Sequence, residues 1–238
     1  MADPVQSKPL HVMFTALPPR YDMINHVITL GMDRDWRNAA ARTCLESRPN
    51  RILDLACGTG DLIVTIARTA KHNAELFGLD YSEPMLNIAQ AKAKQLKQHD
   101  ITFMYGDASK LPFPDGYFDC VGISFAFRNL TYQNPLTPTV LTEVYRVLVS
   151  GGRFVIVESS QPKSTIIRFF FRMYLRCFVY PVGRLLSSNK GAYRYLVESA
   201  ARFYTPEQVK DLLVNAGFRK VTYRPLFFGA AGIHVAVK

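Results

Sequence analysis

The sequence predicts a doubly wound α/β fold. It has a mostly parallel, seven-stranded sheet, a terminal antiparallel hairpin and an added basic, apolar helix. Three observations carry this reading. From Arg51 onward, short apolar runs of strand length alternate with stretches of helical period. Glycine and acidic residues stand directly after the apolar runs, where such sheets place their ligands. The last two apolar runs follow one another directly, which adds an antiparallel strand.

Taken in order, Arg51–Ala56 reads as the first strand and Asp61–Ala70 as a helix. Glu75–Leu79 is the second strand. Ser82 is placed to cap a helix running to about Gln98, with Pro84 in its first turn. Ile101–Tyr105 and Phe118–Phe125 are the third and fourth strands. Thr139–Val149 is a helix closed by Gly151-Gly152, and Arg153–Val157 is the fifth strand. Pro206–Ala216 is a helix with Thr205 as cap and Gly217 as stop. Val221–Leu226 and Ile233–Val237 complete the sheet. The chain, 1–238, reads as one domain, with a helical N-terminal segment at 1–50 and a basic apolar insertion at 160–195.

With 238 residues, 48% hydrophobic and 20% charged, the chain can bury a sizeable core, which excludes disorder. Cys44, Cys57, Cys120 and Cys177 have neither metal-ligand spacing nor the density of a disulfide scaffold. They read as reduced thiols of a cytoplasmic protein, and no metal is implied. Met1 to Leu17 carries an early Asp3 and no signal-peptide core.

The net charge of +10 points to an anionic partner, and it is not evenly spread. Between Glu158 and Glu198 no acid occurs, while Lys163, Arg168, Arg172, Arg176, Arg184, Lys190 and Arg194 supply +7. Arg168, Arg172 and Arg176 recur every four residues and share a helical face, with apolar and aromatic residues around the rest. Pro181 is expected to bend or end this helix. Three arginines argue against a membrane span and for an anionic membrane surface, giving peripheral attachment. The other reading is a buried lid or a helix that forms a homodimer.

The first strand runs into Asp54-Leu55-Ala56-Cys57-Gly58-Thr59-Gly60. Gly58 and Gly60 allow a tight turn and close approach of a ligand. Ile63 stands where a dinucleotide fingerprint needs its third glycine, and there is no Walker lysine. Instead acids follow: Asp54 before the turn, Asp80 at the end of the second strand and Asp107, beside Ala108, at the end of the third. Asp80 is placed to accept from ribose hydroxyls and Asp107 from an adenine amino group. Ser124 ends the fourth strand. Acids around a phosphate-free pocket suit a ligand with a positive centre, and S-adenosylmethionine fits.

The segments LDLACGTGDL, GLDYSEPML, GDASKLPFPDGYFDCV and YRVLVSGGRFVIVE resemble the class I methyltransferase motif set. Arg20–Arg37, Ile123–Asn129 and Ala192–Phe218 are similar to signatures of the UbiE/MenG family of ubiquinone and menaquinone biosynthesis C-methyltransferases. The resemblance runs from about Phe14 onward. It implies cofactor contacts at Thr59, Asp80, Asp107, Ala108 and Ser124. Arg128 and Asn129 match a pair beside the family's reaction centre, and Tyr21 matches its N-terminal tyrosine. Pro18-Pro19, Ser150 and Phe227-Phe228-Gly229 depart from the family's usual residues, the last where Thr-Gly-Gly is common.

The implied reaction methylates a ring carbon of a reduced polyprenyl quinone, the quinol, because the oxidised ring is itself electrophilic. Arg128 is expected to stabilise the oxyanion and Asn129 to orient a water. His26, His234, Tyr21 and Asp22 are the candidates for the base, directly or through a water, and each histidine reads first as a structural or surface residue. A phospholipid N-methyltransferase and a non-catalytic cofactor-binding scaffold of a quinone pathway complex stand as rival readings. A nucleic-acid substrate is disfavoured, because no Asn/Asp-Pro-Pro-aromatic run follows the fourth strand.

Overall fold

Residues 21–96, 100–186 and 190–238 are described by a computed structural model. The first strand, β1 (Arg51–Leu55), is buried over its last four residues and forms the axis of the sheet. β2 (Glu75–Asp80) lies parallel on one side of it, with Asp54 opposite Gly78. β3 (Ile101–Tyr105) continues outward from β2 in parallel. On the other side of β1 come β4 (Phe118–Ser124) and β5 (Leu148–Ser159), also parallel. β7 (Ala231–Val237) then runs antiparallel between β5 and β6 (Arg219–Leu226). The strand order is therefore β3-β2-β1-β4-β5-β7-β6, a seven-stranded sheet of the doubly wound kind with the expected terminal hairpin. The order reverses between β1 and β4, which opens a crevice at their carboxyl ends.

Helices cover both faces because each contributes one apolar stripe. α2 (Met32–Leu45) and α3 (Asp61–Thr69) bury Ala40, Ala41, Cys44, Leu62, Ile63 and Ile66 against one face. The other face packs α6 (Thr137–Val147) and α10 (Pro206–Asn215) around Phe118, Phe127 and Phe154. α10 starts as the sequence predicts, with a reciprocal Thr205–Gln208 capping box.

A third cluster lies off the sheet. Ile24 and Ile28 of α1 (Tyr21–Ile28) meet Leu175, Val179, Tyr193, Val197 and Ala200. These come from α7 (Thr165–Tyr174), a wide π turn (Leu175–Val179), α8 (Tyr180–Leu186) and α9 (Lys190–Arg202). This cluster forms a roof over the carboxyl ends of the strands.

Four local expectations change. The helix after Ser82 is α4 (Glu83–Ala93), shorter than expected, and Gln98 lies outside the described residues. Ser82 makes no side-chain cap bond. Helix α6 ends at Val147, because Leu148 turns extended to pair with Phe118. Gly151 and Gly152 therefore do not close a helix. They sit inside β5 where the register jumps between Phe118 and Cys120, and Gly151 takes a φ of 78°. Lastly, Pro181 does not end its helix. Proline lacks an N–H and its ring crowds the carbonyl four residues back, and the wide turn at Leu175–Val179 absorbs that conflict. Arg176 lies in this turn, so the strict four-residue stripe from Arg168 and Arg172 is interrupted.

Candidate active site

The turn after β1 is shaped by left-handed backbone, with φ of 51° at Ala56, 52° at Gly58 and 77° at Gly60. Gly60 is required for packing: a Cβ there would sit 2.8 Å from that of Ala89 on α4. Asp80 ties this turn to the one after β2. Its Oδ2 accepts from the Gly58 amide and its Oδ1 from the Ser82 amide, each at 2.8 Å. Asp54 is fully buried and accepts from the Ile63 amide at 3.1 Å. Burial pushes its carboxyl well above the usual carboxylate range, and the nearby Asp80 and Asp61 add to the rise.

A cavity of about 240 Å³ opens above these turns. Asp54, Gly58, Thr59, Asp80 and Ser124 are on its wall. Gly60, Asp107 and Ala108 are not among the lining residues; Asp107 follows the outer strand β3 and accepts at Oδ1 from the Ser109 amide and hydroxyl. The cavity instead rises from the crevice between β1 and β4 toward the roof.

Beyond Ser124, the chain turns through Phe125 at a φ of 55° into the short helix α5 (Phe127–Thr131). This brings Arg128 and Asn129 to the cavity. Arg128 is buried, and its partner is one the sequence reading missed. Its backbone amide donates to Glu158 Oε2 at 3.0 Å, and its Nη1 reaches Glu158 Oε1 at 3.3 Å and Ser159 Oγ at 2.7 Å. An acid at the end of the fifth strand, beside acids ending the first three, was the available signal. Asn129 Oδ1 accepts from the Tyr195 hydroxyl at 3.5 Å.

Phenols and aromatic rings complete the wall. Tyr21, Tyr81, Tyr193 and Tyr195 all line the cavity. Burial pushes the hydroxyl of each above the usual phenol range. Trp36 packs on Phe125 at 5.8 Å and on Phe227 at 6.5 Å between ring centroids, and all three rings reach the wall. Phe227 and Phe228 hold φ of 41° and 54°, conformations that favour glycine.

Of the four candidate bases, only Tyr21 lines the cavity. Asp22 is tied up: Oδ1 accepts from Thr59 Oγ1 and Oδ2 pairs with Lys92 Nζ, both at 2.7 Å. Lys92 also pairs with Asp61, Asp61 with Arg37, and Arg37 with Asp33. His26 Nδ1 lies 2.7 Å from Asp33 Oδ1 at the end of this chain. His234 is buried on β7, against the Pro206 carbonyl and the Tyr223 ring. Burial lowers its pKa to about 4. Neither histidine faces the reaction space, because each serves its own element. Among the described residues no His, Cys, Asp or Glu cluster forms a metal site. Among the same residues, no helix is long and apolar enough to cross a membrane.

Residues 3–238 match the sequence profile of the ubiE/COQ5 methyltransferase family. A demethylmenaquinone methyltransferase of Thermus thermophilus is 44% identical over 224 residues, covering 94% of this chain and 98% of the relative. One from Deinococcus radiodurans is 42% identical, covering 95% and 91%. Among solved structures, a SAM-dependent methyltransferase from Thermotoga maritima superposes with a TM-score of 0.65 at 20% identity, over 96% of this chain and 99% of that one. Another from Aquifex aeolicus gives 0.56 at 17%, over 100% and 98%. At these identities the structures speak for the fold.

Proposed function

The chain belongs to the ubiE/COQ5 methyltransferase family and is an S-adenosylmethionine-dependent methyltransferase, and from this we propose that its acceptor is a ring carbon of a reduced polyprenyl quinone, of the demethylmenaquinol kind. The observation that carries the proposal is one cavity that joins two unlike sets of residues: Gly58, Asp80 and Ser124 at or after the strand ends, and Arg128 and Asn129 with the packed rings of Trp36, Phe125 and Phe227.

The residues at the strand ends suit the cofactor. Ser124 Oγ is buried, has no partner among the described residues and belongs to a residue of the wall, so a ligand hydroxyl or amine would satisfy it. The two lining cations, Arg37 and Arg128, are already paired with Asp33 and Asp61 and with Glu158. In this reading Asp80 receives the ribose, Asp107 and Ala108 the adenine beyond the wall, and Thr59 and Ser124 the rest. Bound there, S-adenosylmethionine supplies an already activated methyl group.

The protein's part is then to position and to activate the acceptor. A phenol-like hydroxyl with a pKa near 10 gives up its proton reluctantly at neutral pH. The Arg128 guanidinium, fixed by Glu158 and Ser159, lowers that cost by receiving the developing oxyanion. Glu158 offsets part of the charge and holds the guanidinium in place. Tyr21 keeps its proton at neutral pH, since burial raises its pKa, and so serves as a donor. The acceptor's proton leaves through water oriented by Asn129. Dry aromatic walls hold the ring in line, which supplies much of the rate when the methyl group is already activated.

The polyprenyl tail would enter from a membrane met by α7 on the cytoplasmic side. Ile166, Phe169, Phe170 and Met173 are exposed along α7, and Leu185 on α8 is 84% exposed. Arg172, Arg176 and Arg184 are exposed nearby, so apolar and cationic groups share one region, as an anionic interface requires. The test is methyl transfer to reduced demethylmenaquinone and to ubiquinone-type benzoquinols, read by mass spectrometry. A methylated naphthoquinol is the expected product. Turnover of a phospholipid amine without turnover of either quinol would overturn the proposal.

A further inference from the structure

Buried polar atoms normally find a partner, and one left alone costs about 1–3 kcal/mol. Among the described residues four buried side-chain atoms have none: Ser82 Oγ, Ser124 Oγ, Arg128 Nε and the Tyr193 hydroxyl. The last three belong to residues of the same cavity wall. Ser124 and Arg128 already have roles in the reading above. Tyr193 does not.

Tyr193 is held firmly. It is 2% exposed, and on α9 it shares a stripe with Val197 and Ala200 that faces the roof cluster. Its ring lies flat against Gly183: a Cβ on that glycine would come within 2.3 Å of Tyr193 Cδ1. Gly183 is inside helix α8, where glycine costs about 1 kcal/mol relative to alanine. Only glycine leaves room for the ring, so the helix accepts that cost to seat Tyr193. Tyr21 packs against the same cluster. A phenol buried this way remains a donor at neutral pH and needs an acceptor oxygen.

We propose that the Tyr193 hydroxyl donates a hydrogen bond to the acceptor's second ring oxygen, the one para to the oxygen that Arg128 receives. This rests on the quinol reading. A quinol carries two oxygens across its ring, and two donors on different elements fix the ring's rotation in its plane. That rotation decides which ring carbon faces the methyl group. Arg128 then activates and Tyr193 aligns, and the pair discriminates quinols from simple phenols.

The test compares wild type and Tyr193→Phe on two short-chain naphthols, one with both ring oxygens and one lacking the oxygen para to the activated hydroxyl. Wild type should prefer the two-oxygen acceptor by about 10- to 100-fold in kcat/KM, since a donor left unpaired by the poorer substrate penalises it. Tyr193→Phe should lose that preference by falling on the two-oxygen acceptor alone. Its thermal midpoint and its S-adenosylmethionine affinity, measured by calorimetry, should match wild type. An equal loss on both acceptors, or no loss on either, would overturn the assignment. So would weakened S-adenosylmethionine binding, which would place the hydroxyl on the cofactor instead. Wild type that binds S-adenosylmethionine but methylates neither naphthol would remove the quinol reading itself, and this inference with it.

Discussion

His234 stays neutral inside the protein because burial outweighs the Pro206 carbonyl that faces it. Its pKa falls from about 6.5 when unfolded to about 4 when folded. Between those values the unfolded chain binds the extra proton. Its contribution is therefore complete above about pH 6.5 and is lost as pH falls toward 4, on the order of 3 kcal/mol in all. Replacing it with Gln should flatten urea stability over that window, and an unchanged slope would show another group to be responsible. Residue-level reading of the sequence singled out Asp54, Asp80, Ser124 and Arg128 from their places at or after strand ends, and the fold brings all four to one cavity wall. For His26 and His234 the sequence left a structural or surface role beside the catalytic one, because nothing local says which way a histidine faces. Glu158 was passed over because only the register of β5 against β4, Ser124 opposite Val157, brings it under Arg128.

At the scale of elements, α1 is fastened to the glycine turn by Asp22. One of its oxygens is on Thr59 and the other on Lys92 of α4. Removing that carboxylate should loosen the helix without unfolding the sheet. In Asp22→Ala, amide exchange over 21–28 should quicken by about 5- to 30-fold, a loss of about 1–2 kcal/mol from partly exposed bonds, while β1 and β4 keep their protection. Exchange unchanged in α1 would mean the apolar contacts of Ile24 and Ile28 hold it alone. The strands were legible to within a few residues, since apolar runs bounded by turn residues leave little choice. Helix ends were less so. Leu148 has the propensity to extend α6, but tertiary pairing with Phe118 takes it into the sheet. The wide turn before Pro181 was also hidden, since proline says only that something must give.

At the scale of the molecule, most of the +10 charge is gathered beside an uncovered apolar helix. Each Lys or Arg near an anionic leaflet contributes about 1 kcal/mol, and salt screens it. Arg168 keeps its charge but is held back by the Pro162 carbonyl at 3.0 Å, whereas Arg172, Arg176 and Arg184 are exposed along α7, the wide turn and α8. Reversing these three to Glu should cut binding to phosphatidylglycerol vesicles at least about 10-fold, and added salt should weaken wild-type binding. Turnover of a short, water-soluble quinol should persist, because the cavity floor is built from the sheet. Sedimentation showing equal vesicle binding by wild type and variant would leave the basic region without that role. The segregation of charge was visible in the sequence. Its division into a side that roofs the cavity and a side left bare was not, because that depends on where α1 and α9 pack.

The aromatic rim at Phe227 and Phe228 has a consequence for how this enzyme can change. Both residues are half or more exposed on backbone that glycine would occupy with less strain, a cost on the order of 1–3 kcal/mol each. Most alterations near a reaction centre begin from a relaxed position and lose stability. Here the starting point is strained, so glycine at the rim gains backbone energy, and at Phe227, which lines the cavity, it also widens the mouth. The range of acceptors can therefore drift at the rim while the cofactor turns, Arg128 and the sheet beneath stay as they are. The tolerance for novelty is concentrated where it endangers the fold least.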